Sequence, residues 1–224
     1  AAGLSRAQLQ PQHDEGIGPV RQSEPLSFEK VAEKDVGREL CNANYPINPA
    51  ATFVLVILFL LGELEVATAR LCDMTLNHED KEVRLHLSVS KNDPMARGTW
   101  RPWRCVCLDG DPGEPHKKCP YHAACYHEEK LKGKFPNCDE DDDFPLFPDH
   151  MGFEAKPEYI LMFIEALAVM VGEALMTPRC MRIFGTPSFR ATGAIHLALM
   201  GIAVDKIRLI GRWVCVWSDH PLHP

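Results

Sequence analysis

Ser188-Phe189-Arg190-Ala191-Thr192-Gly193-Ala194, then Leu197-Ala198, Gly201-Ile202 and the run from Ile207 to Trp213, form the stretch on which the reading of this chain turns. Serine favours the N-cap, where its hydroxyl accepts from an unpaired amide of the first helical turn, so Ser188 is expected to cap a helix running to Gly201. A shorter helix is expected over Val204 to Trp213. Arg190 stands directly before three small residues, an arrangement harder to assign to a plain surface charge than a lone lysine or tryptophan.

Upstream, Pro157 opens a helix with Ile160, Leu161, Ile164, Leu167, Ala168 and Val171 at helical spacing and Gly172 near its end. Further back, Val83, Leu85, Leu87 and Val89 alternate with Arg84, His86, Ser88 and Ser90, the period of a half-buried strand, with Lys91 at its end. Asn92-Asp93-Pro94 and Gly98 carry turn chemistry, and Thr99 to Cys107 returns as a second strand that Pro102 confines to an edge. Asn48-Pro49 is a helix start, and the apolar run behind it predicts a buried helix to Leu64. Ser27 is expected to cap a helix with Phe28, Val31 and Leu40 on one side and Glu29 in its first turn.

The domain organisation expected from these elements is a mobile tail over 1–24, a helical lead-in over 25–46, one domain over 47–215 and a divergent tail over 216–224. Eight cysteines and histidines lie from Cys105 to Cys138, ahead of the acidic run Asp139-Glu140-Asp141-Asp142-Asp143, so 105–143 reads as a loop-rich insertion. With 224 residues, 46% hydrophobic and 25% charged, the chain has the composition of a globular protein, which excludes disordered, collagen-like and multi-span membrane classes. The apolar run Ala50 to Leu61 would cover roughly 18 Å as a helix, short of the roughly 30 Å of a bilayer core.

The net charge of −7 gives no overall field towards nucleic acid, so a DNA contact would need a local patch. One candidate lies between Met176 and Pro224, where Arg179, Arg182, Arg190, Lys206, Arg208 and Arg212 face only Asp205 and Asp219. Nine cysteines, an odd number, and no secretory start point to an intracellular, reducing compartment, nuclear if the protein acts on DNA. In that setting clustered cysteines suggest metal or packing before disulfides.

The Ser188 to Trp213 string resembles the second active-site box of tyrosine recombinases, the phage-integrase type of DNA breaking and joining enzyme. Ser90-Lys91-Asn92-Asp93 matches the family's hairpin lysine in order and spacing, and Leu146-Phe147-Pro148 its short upstream stretch. The resemblance covers roughly Phe53 to Trp213 and implies an α+β fold, mainly helical, with a small antiparallel sheet. It implies double-stranded DNA as partner, a homo-oligomer on DNA, no membrane, and strand breakage and rejoining through a phosphotyrosine link. Carried over, Lys91 is the general acid for the leaving 5′ oxygen, Arg190 a phosphate-binding arginine and Trp213 a late hydrogen-bond donor.

Three positions depart from the family. Its first arginine lies three residues before a glutamate at the end of the buried helix, and Glu63 is preceded at that spacing by Leu60. Pro187 stands where a histidine precedes the second arginine, and no tyrosine follows Trp213; all four tyrosines lie at or before Tyr159. Arg70, a stand-in for the missing arginine, is ten residues late. The expected function is therefore a DNA integration or recombination protein, inactive as written, with a non-enzymatic DNA-binding or zinc-stabilised interaction module as the alternative.

A second constellation, Cys105-x-Cys107 and Cys119-x-x-His122, offers two ligand pairs suited to a structural zinc ion. His116, Cys125 and His127 compete for the fourth position, and the same residues also read as free cysteines and exposed histidines of a long loop.

Overall fold

The computed structural model describes residues 23–34, 36, 40, 45–88, 98–107 and 118–213. Of the tail expected over 1–24 only Ser23 and Glu24 are among these, and Glu24 donates its amide to the Ile183 carbonyl at 3.1 Å; Lys91 with Asn92-Asp93-Pro94, His116 and the residues after Trp213 lie outside the described residues.

Helix α1, Phe28–Glu33, begins where Ser27 Oγ accepts from the Lys30 amide, and it buries Phe28, Val31 and Ala32. Helix α2, Pro49–Leu58, is apolar all round, and Ala51 to Leu58 are all buried, which makes it the axis of the domain. It ends six residues before the expected Leu64: Leu60 turns into the left-handed region at φ 52°, and a separate short helix, α3, Glu63–Thr68, follows. Complete burial of Phe59, Leu60 and Leu61 offsets the cost of that conformation. Asn48 holds the N-cap position, yet its side chain makes no capping bond, contrary to expectation.

Strands β1, Met74–Asn77, β2, Glu82–Leu87, and β3, Thr99–Arg104, form an antiparallel sheet in the order β1-β2-β3. Val83, Leu85 and Leu87 are buried, as their alternation predicts, and Pro102 does lie on an edge strand. The short β1 was not anticipated.

The largest correction lies between Cys105 and Asp143. Instead of a loop-rich structure, this region holds the 15-residue helix α4, Pro120–Lys134. Ala124 and Leu131 join the main apolar core, and His127 is fully buried beside Phe147 with its Nε2 2.6 Å from the Leu146 carbonyl oxygen. Helix α5, Pro157–Met170, buries Ile160, Phe163, Ile164, Leu167 and Ala168, and Gly172 supplies the positive φ of 80° past its end.

Helix α6, Ser188–Leu199, crosses α2, and helix α7, Val204–Gly211, packs beside it. Pro187, not Ser188, is the N-cap residue; Ser188 lies inside the helix with its Oγ accepting from the Gly185 amide at 3.1 Å. Thr192 Oγ1 accepts from the Leu26 amide at 2.8 Å, tying the segment before α1 to α6. Gly193 allows the close helix crossing, because a methyl group there would collide with the Ile57 carbonyl oxygen and the Leu60 side chain. No helix among the described residues is long and apolar enough to cross a membrane.

Candidate functional site

Arginines from three elements act on one another near the break that follows α2. Arg190, in the first turn of α6, donates from Nε to the Leu60 carbonyl at 3.1 Å and from Nη2 to Glu65 Oε1. Glu65 is 3% exposed, and its other oxygen accepts from the Gly62 amide at 2.9 Å, so one carboxylate starts α3 and orients the guanidinium. Arg101 reaches in from β3 and donates from Nη1 to the carbonyl of Phe59, next to the one Arg190 uses. Arg212, at the end of α7, donates from Nη2 to the carbonyl of Leu87, at the end of β2.

This places the glutamate two residues later than the sequence suggested. Glu63 does not meet Arg190; Glu65 does, and the residue three before it is Gly62, not Leu60. Leu60 packs in a second apolar cluster with Val54, Leu58, Leu197 and Ile207. Gly62 has its own physical reason, because a Cβ there would lie 2.8 Å from Arg190 Cζ. Arg70 is elsewhere, paired with Glu154.

Arg101 is only 6% exposed, and its Nη2 has no hydrogen-bond partner. Burial pushes its pKa down to about 9, Arg212 and Arg190 add to the effect, and Glu65 opposes it. Sequence reading missed Arg101: in register it lies opposite Leu85, between positions that face Val83 and Leu87, so an arginine occupies the inward phase of the strand.

The second group is the predicted Cys/His set. Cys105 and Cys107 follow β3, Cys119 is the N-cap residue of α4 and His122 lies in its first turn. Their ligand atoms all lie within 4.8 Å of one another. His122 Nδ1 is 3.3 Å from Cys119 Sγ, 3.4 Å from Cys107 Sγ and 3.7 Å from Cys105 Sγ, and the sulfurs of Cys105 and Cys119 are 3.6 Å apart. A tetrahedral zinc with Zn–S of about 2.3 Å and Zn–N of about 2.0 Å requires separations of about 3.8 Å for sulfur pairs and about 3.5 Å for sulfur–nitrogen pairs. The four donors fit that ion.

Burial works against the Cys119 thiolate, but hydrogen bonds from the His122 and Val106 backbone outweigh it and lower the pKa. Burial, with nearby Lys81, lowers the pKa of His122 and favours the neutral ring that a metal needs. Of the competitors for the fourth position, His127 is bonded to the Leu146 carbonyl and neither it nor Cys125 belongs to the cluster.

Trp213 is partly buried against the second apolar cluster and lies over Gly211, where a Cβ would come 2.8 Å from the indole. The basic residues after Met176 do not form one face. Arg190 and Arg212 are close enough to act on the charge of Arg101, Arg182 and Arg208 are exposed and paired with Glu165 and Asp205, and Arg179 and Lys206 are exposed.

No protein-family model and no curated protein matches the sequence. Solved structures do resemble the fold. The XerH site-specific recombinase bound to difH substrate in a pre-cleavage complex aligns with a TM-score of 0.57 at 12% identity, over 89% of this chain and 50% of the recombinase chain. The post-cleavage complex of the same recombinase aligns at 0.51 and 12%, over 86% and 50%. The Tn1549 transposon integrase in complex with transposon right end DNA aligns at 0.50 and 16%, over 86% and 58%. This chain therefore spans between half and three-fifths of those chains. The likeness, with the helices and three-stranded sheet described above, gives the expected fold: a mainly helical, tyrosine-recombinase-like catalytic domain with a small antiparallel sheet.

Proposed function

We propose that this protein is a DNA recombination or integration protein of the tyrosine recombinase type that binds double-stranded DNA and, as these 224 residues stand, does not cut it. The observation that carries the reading is Arg190: in a recombinase-like fold, the arginine of the resembling box is oriented by buried Glu65 and the Leu60 carbonyl and remains a quarter exposed. A planar, permanently charged guanidinium suits the non-bridging oxygens of a phosphodiester. In this reading Lys91 protonates the leaving oxygen and Trp213 donates to the phosphate.

Strand cleavage also needs a nucleophile in line with the phosphorus. The four tyrosines are Tyr45, Tyr121, Tyr126 and Tyr159, and none follows Trp213. Tyr121 is engaged with His78 at 2.9 Å, and Tyr45 and Tyr159 line a cavity with Phe163 and Phe189.

The Cys/His cluster supports zinc as a structural ion, held by Cys105, Cys107, Cys119 and His122, which would join the end of β3 to the start of α4. It also favours the second reading, a zinc-stabilised DNA-binding or interaction module without catalysis. Fluorescence anisotropy with labelled duplex DNA, followed over a salt series, tests the binding. Nicked suicide substrates test cleavage: the expected result is salt-dependent affinity with no covalent adduct. An adduct lost on Arg190→Ala would overturn the inactive reading, and no DNA affinity at low salt would overturn both.

A further inference from the structure

The arginine cluster contains one group that stability does not explain. A guanidinium at the carboxyl end of a helix is favourable when it satisfies free carbonyls, and Arg190 and Arg101 do this at Leu60 and Phe59. Arg101 nevertheless retains a buried Nη2 without a partner, inside a strand position that an apolar residue would fill at no such cost. Among the described residues acting on it, two are the arginines Arg190 and Arg212, and the one carboxylate is Glu65, already committed to Arg190 and the Gly62 amide. Arg101 and Arg190 thus share the single carboxylate of Glu65, which leaves one positive charge of this pair unbalanced, a condition that favours an anion.

We propose that Arg101, projected from β3, is a phosphate-binding residue, placing a second guanidinium beside that of Arg190 where Gly62 leaves no side chain. The inference rests on the recombinase-type reading for its ligand, a phosphodiester of DNA, while the chemistry recognised is that of phosphate oxygens from any source. Arg101 would use its free Nη2 towards the oxygen and keep Nη1 on the Phe59 carbonyl, so the backbone bond positions the fork. The phosphate site would thus be assembled from strand β3 and helix α6.

The test uses the full chain and Arg101→Met, which preserves length and apolar bulk. Thermal unfolding is followed in chloride and in inorganic phosphate at equal ionic strength, and DNA affinity is followed against salt. Wild type is expected to be stabilised by phosphate, and Arg101→Met to be as stable as wild type in chloride but to bind phosphate roughly 10- to 100-fold more weakly. The variant's salt slope for DNA should fall by about 0.9, one phosphate contact. A merely structural Arg101 would lower the melting temperature in both buffers and leave the phosphate increment and the slope unchanged, which overturns the proposal. If wild type binds phosphate through Arg101 but not DNA, the anion site stands and the DNA reading fails. If DNA binds with the same slope in both proteins and phosphate acts equally on both, the site fails and the DNA reading stands. Should Arg101→Met not fold, Arg101→Gln, which removes the charge but keeps a donor for the Phe59 carbonyl, decides by the same comparisons.

Discussion

Removing metal from the Cys/His cluster is expected to loosen the junction between β3 and α4 by a predictable amount. Cys105 and Cys119 lie fourteen residues apart, and a zinc ion between them closes that length of chain as a cross-link would. Closing a loop of about fifteen residues restricts the unfolded chain by about 3 kcal/mol. At 2 to 4 °C per kcal/mol for a chain of this size, chelation should lower the melting temperature by roughly 6 to 12 °C. The assay is elemental analysis of protein purified without chelator, expected to give one zinc per chain, followed by thermal unfolding with and without a strong chelator. Cys119→Ser should reproduce the chelated value and no longer respond to chelator, whereas Cys180→Ser, at an exposed cysteine outside the cluster, should leave the response intact. Cobalt exchanged into the site should show thiolate-to-metal charge transfer. Protein that folds with no bound metal and melts identically in chelator would refute the reasoning.

Three further outcomes follow from buried groups. Burial holds the His127 pKa down to about 4, so between the unfolded value of about 6.5 and that point the unfolded chain takes up the proton first. The neutral ring's contribution, on the order of 3 kcal/mol, is fully present above about pH 6.5 and is lost as pH falls towards 4; denaturant titrations should show it, and His127→Gln, which can keep the contact with the Leu146 carbonyl, should flatten that slope. Gly193→Ala should cost about 2 kcal/mol or more in chemical denaturation, since its methyl group meets the backbone of α2, and an unchanged midpoint would mean that the two helices are not this close. Glu65→Gln should cost about 2 to 3 kcal/mol, at the lower edge of a broken buried pair because Arg190 is a quarter exposed, and addition of phosphate should recover part of it.

Much of the fold was legible because the informative residues repeat at helical or strand spacing. The α5 pattern from Ile160 to Ala168 and the alternation of Val83, Leu85 and Leu87 both survive in the structure. Helix α4 was hidden for the opposite reason: its Cys, His, Lys and Glu residues give almost no apolar stripe, and it is positioned by a few buried side chains, Tyr121, Ala124, His127 and Leu131. Strand β1 is only four residues long, and Met74-Thr75-Leu76-Asn77 shows too little alternation to stand out. The metal cluster was visible as paired spacing, His122 included, and the burial of His127 removes one of its competitors. Arg101 stayed hidden because its inward phase follows from the register with Leu85, which the sequence of Thr99 to Cys107 alone does not fix.

The end of α2 shows why the site itself was harder to see than the fold. The apolar run from Ala50 to Leu61 gives no internal sign of where a helix should stop, and the first local stop signal, Gly62, comes only after the break. A continuous helix would have used the Phe59 and Leu60 carbonyls in bonds to the amides of Glu63 and Leu64. The left-handed turn at Leu60 removes both from the ladder, and Gly62 restarts the chain under Glu65. Two freed carbonyls then become acceptors for Arg101 and Arg190. The break that sequence periodicity could not locate is therefore what creates the positions of the two guanidinium groups, and it also shifts the relevant glutamate from Glu63 to Glu65. Arg101 on β3 and Arg190 on α6 in turn satisfy the carbonyls that the break frees, so the end of α2 is secured by tertiary contacts that no local pattern records.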